Sequence, residues 1–254
     1  MNGIYFSGSG NTRHCAEFFA QLTGGRTVSM EAADALGLVK ESEELFVAYP
    51  IHYSNLPKFV RDFLTQNAAA FEGKKIFIIA TMGLFSGDGA GLAARILKKA
   101  GAKILGGLHV RMPDSIADVK MLKKPFENNL SLVKAADQKI AGAACQIKVG
   151  RYPKDGLSVF ALLAGLFGQR LWFIPTVEAA RSKLKVNQEK CAGCGLCAKN
   201  CPTASLSIQD GKAAFVPGKC TLCYRCVNSC PANAVTLLGK EVFERCNFEK
   251  YMEA

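Results

Sequence analysis

Eight cysteines in the last quarter of the chain are the residues best suited by type and spacing to do chemistry. From Lys190 to Pro202 the sequence reads KCAGCGLCAKNCP, and from Lys219 to Pro231 it reads KCTLCYRCVNSCP. Each cysteine recurs 29 residues later, so Cys191, Cys194, Cys197 and Cys201 repeat as Cys220, Cys223, Cys226 and Cys230. The preceding lysine and the following proline recur with them. Each copy is a C-x2-C-x2-C-x3-C-P run, the spacing of a cubane iron–sulfur site. Three thiolates with two residues between neighbours let one tight loop wrap three corners of a cube. The fourth follows after a longer step and then a proline, which sends the chain toward the other cluster. The expected ligand sets are therefore crossed: Cys191, Cys194, Cys197 and Cys230 for one 4Fe-4S cluster, and Cys220, Cys223, Cys226 and Cys201 for the second. Such crossing keeps two clusters close, which suits electron tunnelling. Structural zinc is the competing reading, but it favours paired cysteines separated by a longer loop.

Between the repeats, SLSIQDGKAAFV alternates around Asp210-Gly211, a hairpin signal. The chain has 254 residues, enough for one large domain and a small one, and its 49% apolar and 21% charged residues are those of a globular protein. The N-terminus, MNGIYFSGSGNT, lacks the basic flank and apolar core of a secretory signal, so the expected compartment is a reducing one, the cytoplasm. The formal charge of +11 falls to about +7 once eight cysteinates and two cationic cluster cores are counted. Between Lys139 and Lys185 eight basic residues face two acidic ones. That belt is either a solvated face or a docking surface for acidic redox partner proteins or a membrane surface. No nucleic-acid motif accompanies it.

The other end of the chain offers a different chemistry. A short apolar strand, Gly3 to Phe6, runs through SGSGNT into a helix from about Arg13 to Leu22. Backbone N–H groups, hydroxyls and a helix N-terminus together form an anion cradle. It is not a nucleotide P-loop, because no Gly-Lys-Ser/Thr follows, and Arg13 replaces the third glycine of a dinucleotide fingerprint. One phosphate is what these residues suit. Further strands are expected near Thr27–Met30, Glu44–Ala48, Lys75–Ala80 and Lys103–Val110, with helices near Pro57–Leu64, Gly89–Ala100 and Phe126–Ala144. Strand–helix alternation with apolar central strands implies an α/β doubly wound parallel sheet of five strands. Ligands bind beyond the C-terminal strand ends of such sheets, which here carry the loops Ser7–Thr12, Pro50–Pro57 and Thr81–Gly91.

Ser7-Gly8-Ser9-Gly10-Asn11-Thr12 resembles the flavodoxin phosphate loop, YPIHYSNLP resembles the loop that packs on the flavin ring, and ATMGLFSGDGAG stands where the second ring loop is expected. The cysteine region resembles the bacterial two-cluster ferredoxins over about fifty residues. The whole chain, with GGLHVRMPDS after the fifth strand, is similar to a family of fused proteins: a flavodoxin-like domain followed by a small α+β dicluster ferredoxin domain. The resemblance implies FMN as a cofactor, its phosphate held by Ser7, Ser9, Gly10, Asn11 and Thr12. The ring would lie against Pro50, Ile51, His52, Tyr53, Ser54 and Asn55 on one side and Thr81, Met82, Gly83 and Phe85 on the other. Tyr53 would stack on it and His52 lie near its edge. The second ring loop departs from long-chain flavodoxins in lacking their acidic and aromatic signature.

The expected organisation is a flavodoxin-like domain at 1–150, an apolar and basic connecting helical segment at 151–181, the dicluster ferredoxin domain at 182–240 and a C-terminal tail at 241–254. In the connecting segment GLSVFALLAGLFGQRLWFI (156–174) is too short to span a bilayer, with Gln169-Arg170 interrupting it and Pro175 expected to end it. It reads as a helix packed between the domains or one docked on a partner or membrane surface. Cys15, Cys145 and Cys246 have no spacing partners and read as inert thiols; His14 and His109 read as structural. The favoured function is electron transfer between FMN and the two clusters. The alternatives are a flavin-dependent reductase of a small molecule, with His52 or Tyr53 as its proton source, and a ferredoxin whose flavodoxin-like domain is a flavin-free docking module.

Overall fold

The computed structural model describes residues 1–252, except the side chains of residues 174 and 178. Five apolar stretches, β1 (Asn2–Tyr5), β2 (Thr27–Ser29), β3 (Glu44–Pro50), β4 (Lys75–Met82) and β5 (Lys103–Arg111), form one sheet of order β2-β1-β3-β4-β5, every neighbouring pair parallel. Successive side chains of a strand face opposite ways. In β3 and β4, Leu45, Val47, Tyr49, Ile76 and Ile78 pack on one layer with Leu38, Val60, Leu64 and Leu97. Their neighbours Phe46, Ala48, Phe77 and Ile79 pack on the other with Phe19, Val133 and Ile140. The first layer is covered by α2 (Ala35–Glu41), α3 (Lys58–Gln66) and α4 (Gly89–Lys99), the second by α1 (Asn11–Leu22) and α5 (Phe126–Lys148). At roughly 1.5–3 kcal/mol for each buried Leu, Ile, Val or Phe, these layers fix where the strand ends stand. This is the doubly wound parallel sheet of five strands expected from the alternation. The short α2, whose pattern spans only seven residues, was not anticipated.

Strand order reverses beside β1, so the crevice opens at the C-terminal ends of β1 and β3, where Ser7–Thr12 and Pro50–Asn55 lie. The far edge of the sheet is covered as well. Residues 152–155 run along β5, with Lys154 bridged to Gly107, and a Cβ at Gly107 would stand 2.6 Å from the Asp155 carbonyl oxygen. Glycine is required there because backbone approaches backbone.

The connecting segment forms α6 (Val159–Gly165), a π turn at Leu166–Arg170 and α7 (Leu171–Arg181). One expectation is corrected here: Pro175 lies inside α7 rather than ending the helix. One face of the segment packs on both domains, Gln169 and Arg170 on the first and Ala180 on the last, while Val159, Phe160, Phe167, Leu171 and Trp172 are exposed. Its inward face carries Gly165, buried against the Asp88 carboxylate, and buried Arg170. Among the described residues no single helix is long and apolar enough to cross a membrane; Val159–Phe173 and Pro175–Arg181, bent by 41°, pass together by length and composition.

The last domain carries the antiparallel pairs β6 (Lys185–Val186) with β9 (Val235–Thr236) and β7 (Leu206–Gln209) with β8 (Lys212–Phe215). The β7–β8 hairpin turns at Asp210 (φ 48°) and Gly211 (φ 74°), as the Asp-Gly signal requires. Short helices α8 (Leu196–Lys199) and α9 (Arg225–Ser229) follow the cysteine loops. The duplication extends to the backbone. Gly193 and Gly195 are left-handed, and so are their counterparts 29 residues on, Leu222 (φ 60°) and Tyr224 (φ 59°). Ala204 (φ 48°) and Asn233 (φ 49°) match in the same way. A left-handed leucine or tyrosine costs on the order of 1–2 kcal/mol, and both side chains are buried.

The expected tail is not free either. Phe248 and Tyr251 belong to the α1–α5 layer of the first domain, and Phe248 stacks on His14 at 4.2 Å between centroids.

Candidate functional site

Two cavities lie within the C-terminal domain, each lined by four cysteines. Cys191, Cys194, Cys197 and Cys230 line one, and Cys201, Cys220, Cys223 and Cys226 line the other. The fourth cysteine lining each cavity thus comes from the other repeat. Backbone N–H groups point at these sulfurs: Ser205 donates to Cys201 Sγ at 3.1 Å, Ala234 to Cys230 Sγ at 3.2 Å and Ala213 to Cys191 Sγ at 3.4 Å. Such donors stabilise negative charge on sulfur and tune cluster potential. Burial alone would raise the Cys201 thiol, but hydrogen bonds from Thr203 and Ser205 outweigh it and its pKa is lowered. Burial pushes the Cys223 thiol up to about 12. The sets differ in exposure. Cys194 is exposed and Cys191 half-buried, whereas Cys220, Cys223 and Cys226 are all buried.

The buried set faces the phosphate loop. A Cβ at Gly8 would stand 2.2 Å from the carbonyl oxygen of Cys223, so only glycine permits this approach. Cys223 itself joins the apolar layer of the first domain with Phe6 and Leu56. Beside it, the Arg225 guanidinium donates to the Ser7 carbonyl oxygen at 2.6 Å and to both carboxylate oxygens of Glu31 at 2.7 Å, and covers the Phe6 ring at 5.6 Å. Phe248 N donates to the Ser9 carbonyl oxygen at 2.8 Å and covers Gly10, which is left-handed (φ 97°). On the inner side, Gly10 N donates to Ser7 Oγ at 3.1 Å, Thr12 and Thr81 hydroxyls meet at 2.7 Å, and Asn11 Nδ2 donates to the Pro113 carbonyl oxygen at 2.7 Å. Asn11 Oδ1 is buried without a partner.

The two expected ring loops are held by the connecting segment. Ser54 Oγ donates to Gln169 Oε1 at 2.8 Å, and Gln169 Nε2 donates to the Phe85 carbonyl oxygen at 3.1 Å. Asp88, fully buried near the end of the second loop, takes both arms of Arg170 (2.7 and 3.1 Å) and Arg95 (2.7 Å). Between the loops, next to Ser7, Ser9, Thr12, Pro50, Ile51, Thr81 and Met82, the remaining cavity is about 40 Å³. Gly83 lies against Asp114, and Phe85 is exposed. Two expectations about the first ring loop change. Tyr53, left-handed in a tight turn closed by His52 and Asn55, packs with the C-terminal domain and edge-on to Phe173. It does not face the cleft. His52 is a poor acid, because burial pushes its pKa down to about 4 and leaves the ring neutral near pH 7.

The interface rests on residues that no local sequence signal singles out. Asp118, fully buried after β5, accepts from Tyr224 Oη at 2.9 Å and from the backbone N–H of Leu237, Leu238 and Gly239 at 2.6, 3.0 and 3.1 Å. Asn228 donates to the Ser115 carbonyl oxygen and accepts from Cys246 N. The left-handed Tyr224 is thereby explained: the glycine conformation of the first repeat is kept in the second at a cost, so that a tyrosine can reach Asp118. Its place in the duplicated motif was the one available signal. His109 Nε2 accepts from Ala90 N at 3.0 Å, and His14 Nε2 meets Asp137 Oδ1 at 2.7 Å. Cys15 is buried, Cys246 lies 2.8 Å from Lys123 Nζ, and Cys145 is exposed.

Residues 4–108 match the family model of a flavodoxin domain, and residues 183–231 match that of a 4Fe-4S dicluster domain. The chain is therefore a fused flavodoxin/ferredoxin arrangement. No curated protein matches it. Among solved structures it is similar to two-electron reduced Megasphaera elsdenii flavodoxin, at 21% identity over 57% of this chain and 99% of that one, with a TM-score of 0.42. It is also similar to a flavodoxin from the domain Archaea (18% identity, 58% and 99% coverage, TM-score 0.39) and to Streptococcus pneumonia TIGR4 flavodoxin (16%, 56% and 97%, 0.37). The strand order and the family match define the domain.

A flavodoxin domain implies FMN, and a dicluster domain implies two 4Fe-4S clusters. The donor sets fit both. Eight cysteines divide into two fours around separate cavities. The loop before α1 offers hydroxyls, a helix N-terminus without an acidic first turn, and the orphaned Asn11 amide oxygen, which suit a phosphate ester. A flavin ring needs more than about 40 Å³, so the loops clasped by Gln169 must part to admit it.

Proposed function

We propose that the chain is an electron conduit between FMN in the first domain and the paired clusters in the last, with an acidic redox protein as the outside partner. The observation that carries this reading is the seating of Cys223, from the buried cysteine set, on Gly8 of the phosphate loop. One cluster-binding loop thus touches the flavin-binding loop, while the other set opens to solvent at Cys194. FMN exchanges one or two electrons and each cluster one, so the pairing can split or combine electron pairs. Cys191, Cys194, Cys197 and Cys230 would ligate the outer cluster, and Cys220, Cys223, Cys226 and Cys201 the inner. Ser7, Ser9, Gly10, Asn11 and Thr12 would hold the FMN phosphate, and the loops at 50–55 and 81–85 its ring. Arg225 fixes the inner loop to the phosphate loop through Ser7 and Glu31. Asp118 and Asn228 hold the remaining face, so no domain movement is needed for the two centres to be adjacent.

Between residues 182 and 240 eight basic side chains face two acidic ones, Glu189 and Asp210. Lys190, Lys199 and Lys212 flank the exposed cysteine in sequence or through the hairpin, which favours an acidic protein docking at the Cys194 edge. A docking rate that falls steeply with salt supports this; a rate indifferent to salt overturns it.

Flavin, iron and sulfide content of protein purified without oxygen tests the main reading. About one FMN with eight iron and eight sulfide per chain is the expected result. The second reading, a ferredoxin on a flavin-free docking domain, is favoured by the 40 Å³ cleft and by the cover over Gly8 and Gly10. The same iron with no flavin, even after added FMN, would establish it and sink the conduit.

A further inference from the structure

The connecting segment is amphipathic in the reverse of the usual sense. A surface helix turns its apolar stripe to the core and its polar side chains to water. Here every exposed residue from Val159 to Phe173 is apolar or glycine, and the two polar residues of that stretch, Gln169 and Arg170, serve the inward face. Arg170 is buried on Asp88, and Gln169 joins Ser54 to the Phe85 carbonyl oxygen. A Cβ at Gly165 would stand 2.1 Å from Asp88 Oδ1, so the backbone itself is seated there. These contacts fix which side faces out. On that side Phe160, Leu163, Phe167 and Leu171 follow at steps of three and four residues, with Trp172 beside them, over about 18 Å of helix. Phe160 is 84% exposed and Trp172 77%, so the stripe is uncovered rather than partly packed. Leu84 and Phe85, also exposed, adjoin it through Gln169. Cations border it. Helix α3 and residues 156–186 together hold six basic residues and two acidic ones, Asp62 and Glu178. Asp62 is paired with Lys58, whereas Arg61, Lys183 and Lys185 are exposed.

We infer that this stripe docks the protein on an anionic lipid surface, with the connecting segment lying in the plane of the interface. An apolar helix face ending in a tryptophan and bordered by cations is complementary to the boundary between acyl chains and acidic headgroups. The segment lies on the membrane rather than crossing it, because Gly165, Gln169, Arg170 and Ala180 are packed on protein and lipid can reach one side alone. A protein partner would look for hydrogen-bonding groups across the contact. The exposed side chains between Val159 and Phe173 offer one, the Trp172 indole N–H. A second copy, docked by the same face about a two-fold axis, would bring Arg61, Lys183 and Lys185 toward their own counterparts. The docked face includes Leu84 and Phe85 of the second ring loop and shares no residue with the Cys194 edge.

Cosedimentation of the anaerobic holoprotein with vesicles of phosphatidylcholine and phosphatidylglycerol tests the surface. Binding is expected, weaker on phosphatidylcholine alone and weaker in high salt. Trp172 is the chain's one tryptophan, so a shift of its emission to shorter wavelength on binding reports this stripe directly. Phe160→Ser with Phe167→Ser should weaken partitioning about a hundredfold, at about tenfold for each ring withdrawn from lipid. Arg61→Gln, Lys183→Gln and Lys185→Gln should each weaken it about fivefold, on the anionic vesicles only. All five positions are exposed, so the fold is kept, as unchanged cluster absorbance would verify. Absence of vesicle binding overturns the inference, as does binding that survives the paired serine substitutions. Equal binding to both kinds of vesicle overturns the assignment to anionic lipid. Stronger quenching of Trp172 by lipids brominated at the acyl end than near the headgroup would mean a crossing segment and overturn the planar placement. A dimer in sedimentation velocity that the serine substitutions abolish, with no vesicle binding, would give the stripe to a second copy instead.

Discussion

Removal of the Asp118 carboxylate should loosen the C-terminal domain more than any other single polar change. Asp118 is 1% exposed and accepts four hydrogen bonds, three from the backbone N–H groups of residues 237–239 and one from Tyr224. Hydrogen bonds to a charged acceptor contribute roughly 1.5–3 kcal/mol each, but bonds sharing one acceptor are not additive. Breaking a buried charged network costs about 3–5 kcal/mol. Asp118→Ala leaves four donors facing a small apolar void, so about 4 kcal/mol is expected. That is a large share of the 5–15 kcal/mol that a domain has in hand. With a urea dependence of about 2–3 kcal/mol per molar, the unfolding midpoint falls by about 1.3–2 M. Amide exchange at Leu237, Leu238 and Gly239 should rise by about three orders of magnitude, since 1.4 kcal/mol is tenfold. Asp118→Asn keeps an acceptor oxygen but turns an N–H donor toward other donors, and should recover only part of the loss. Both measurements belong under anaerobic conditions with iron content monitored. If Asp118→Ala unfolds at the wild-type midpoint and protects those three amides equally well, Asp118 does not anchor the interface.

Cys201→Ala should remove the signal of the cluster nested in Cys220, Cys223 and Cys226 and spare the other, as read by paramagnetic resonance; loss of the first-repeat cluster instead would refute the crossed sets. Gly8→Ala would put a methyl 2.2 Å from the Cys223 carbonyl oxygen, so the domains must separate at a cost of about 1–3 kcal/mol. Faster proteolysis at the junction with both cofactors retained is expected, and unchanged proteolysis counts against the contact. His52, with its folded pKa pushed from 6.5 down to about 4 by burial, binds its proton more readily in the unfolded chain. Stability should therefore fall on acidification below pH 6.5, by about 1.4 kcal/mol between about pH 7.5 and 5.5. His52→Leu should remove that portion of the slope, and an identical slope in the variant would show that His52 is not buried as described.

The expected and observed architectures agree where a short-range rule decides structure. Apolar alternation in β3 and β4 marks two buried faces whatever else the chain does, and the Asp210-Gly211 turn needs only the positive φ those residues tolerate. The eight cysteines declare their grouping because sulfur count, spacing and proline leave little freedom. Seven-residue α2 escaped because its apolar positions are too few to show a helical period. Pro175 departs from the expectation because it is carried within α7, where the preceding π turn already disrupts the hydrogen-bond ladder.

What pattern could not give was the relation of distant parts. Nothing local marks Asp118 as the acceptor for residues 237–239, Arg225 as the tie to Ser7 and Glu31, or Phe248 as a member of the α1–α5 layer. Each depends on a contact more than one hundred residues away in sequence, and on which side chains the packing strips of water. The sequence determined two cofactor-binding domains and the residue types in each. The tertiary structure decided that the inner cysteine loop sits on the phosphate loop, because the glycine at position 8 lets the two backbones meet and Arg225 ties them together.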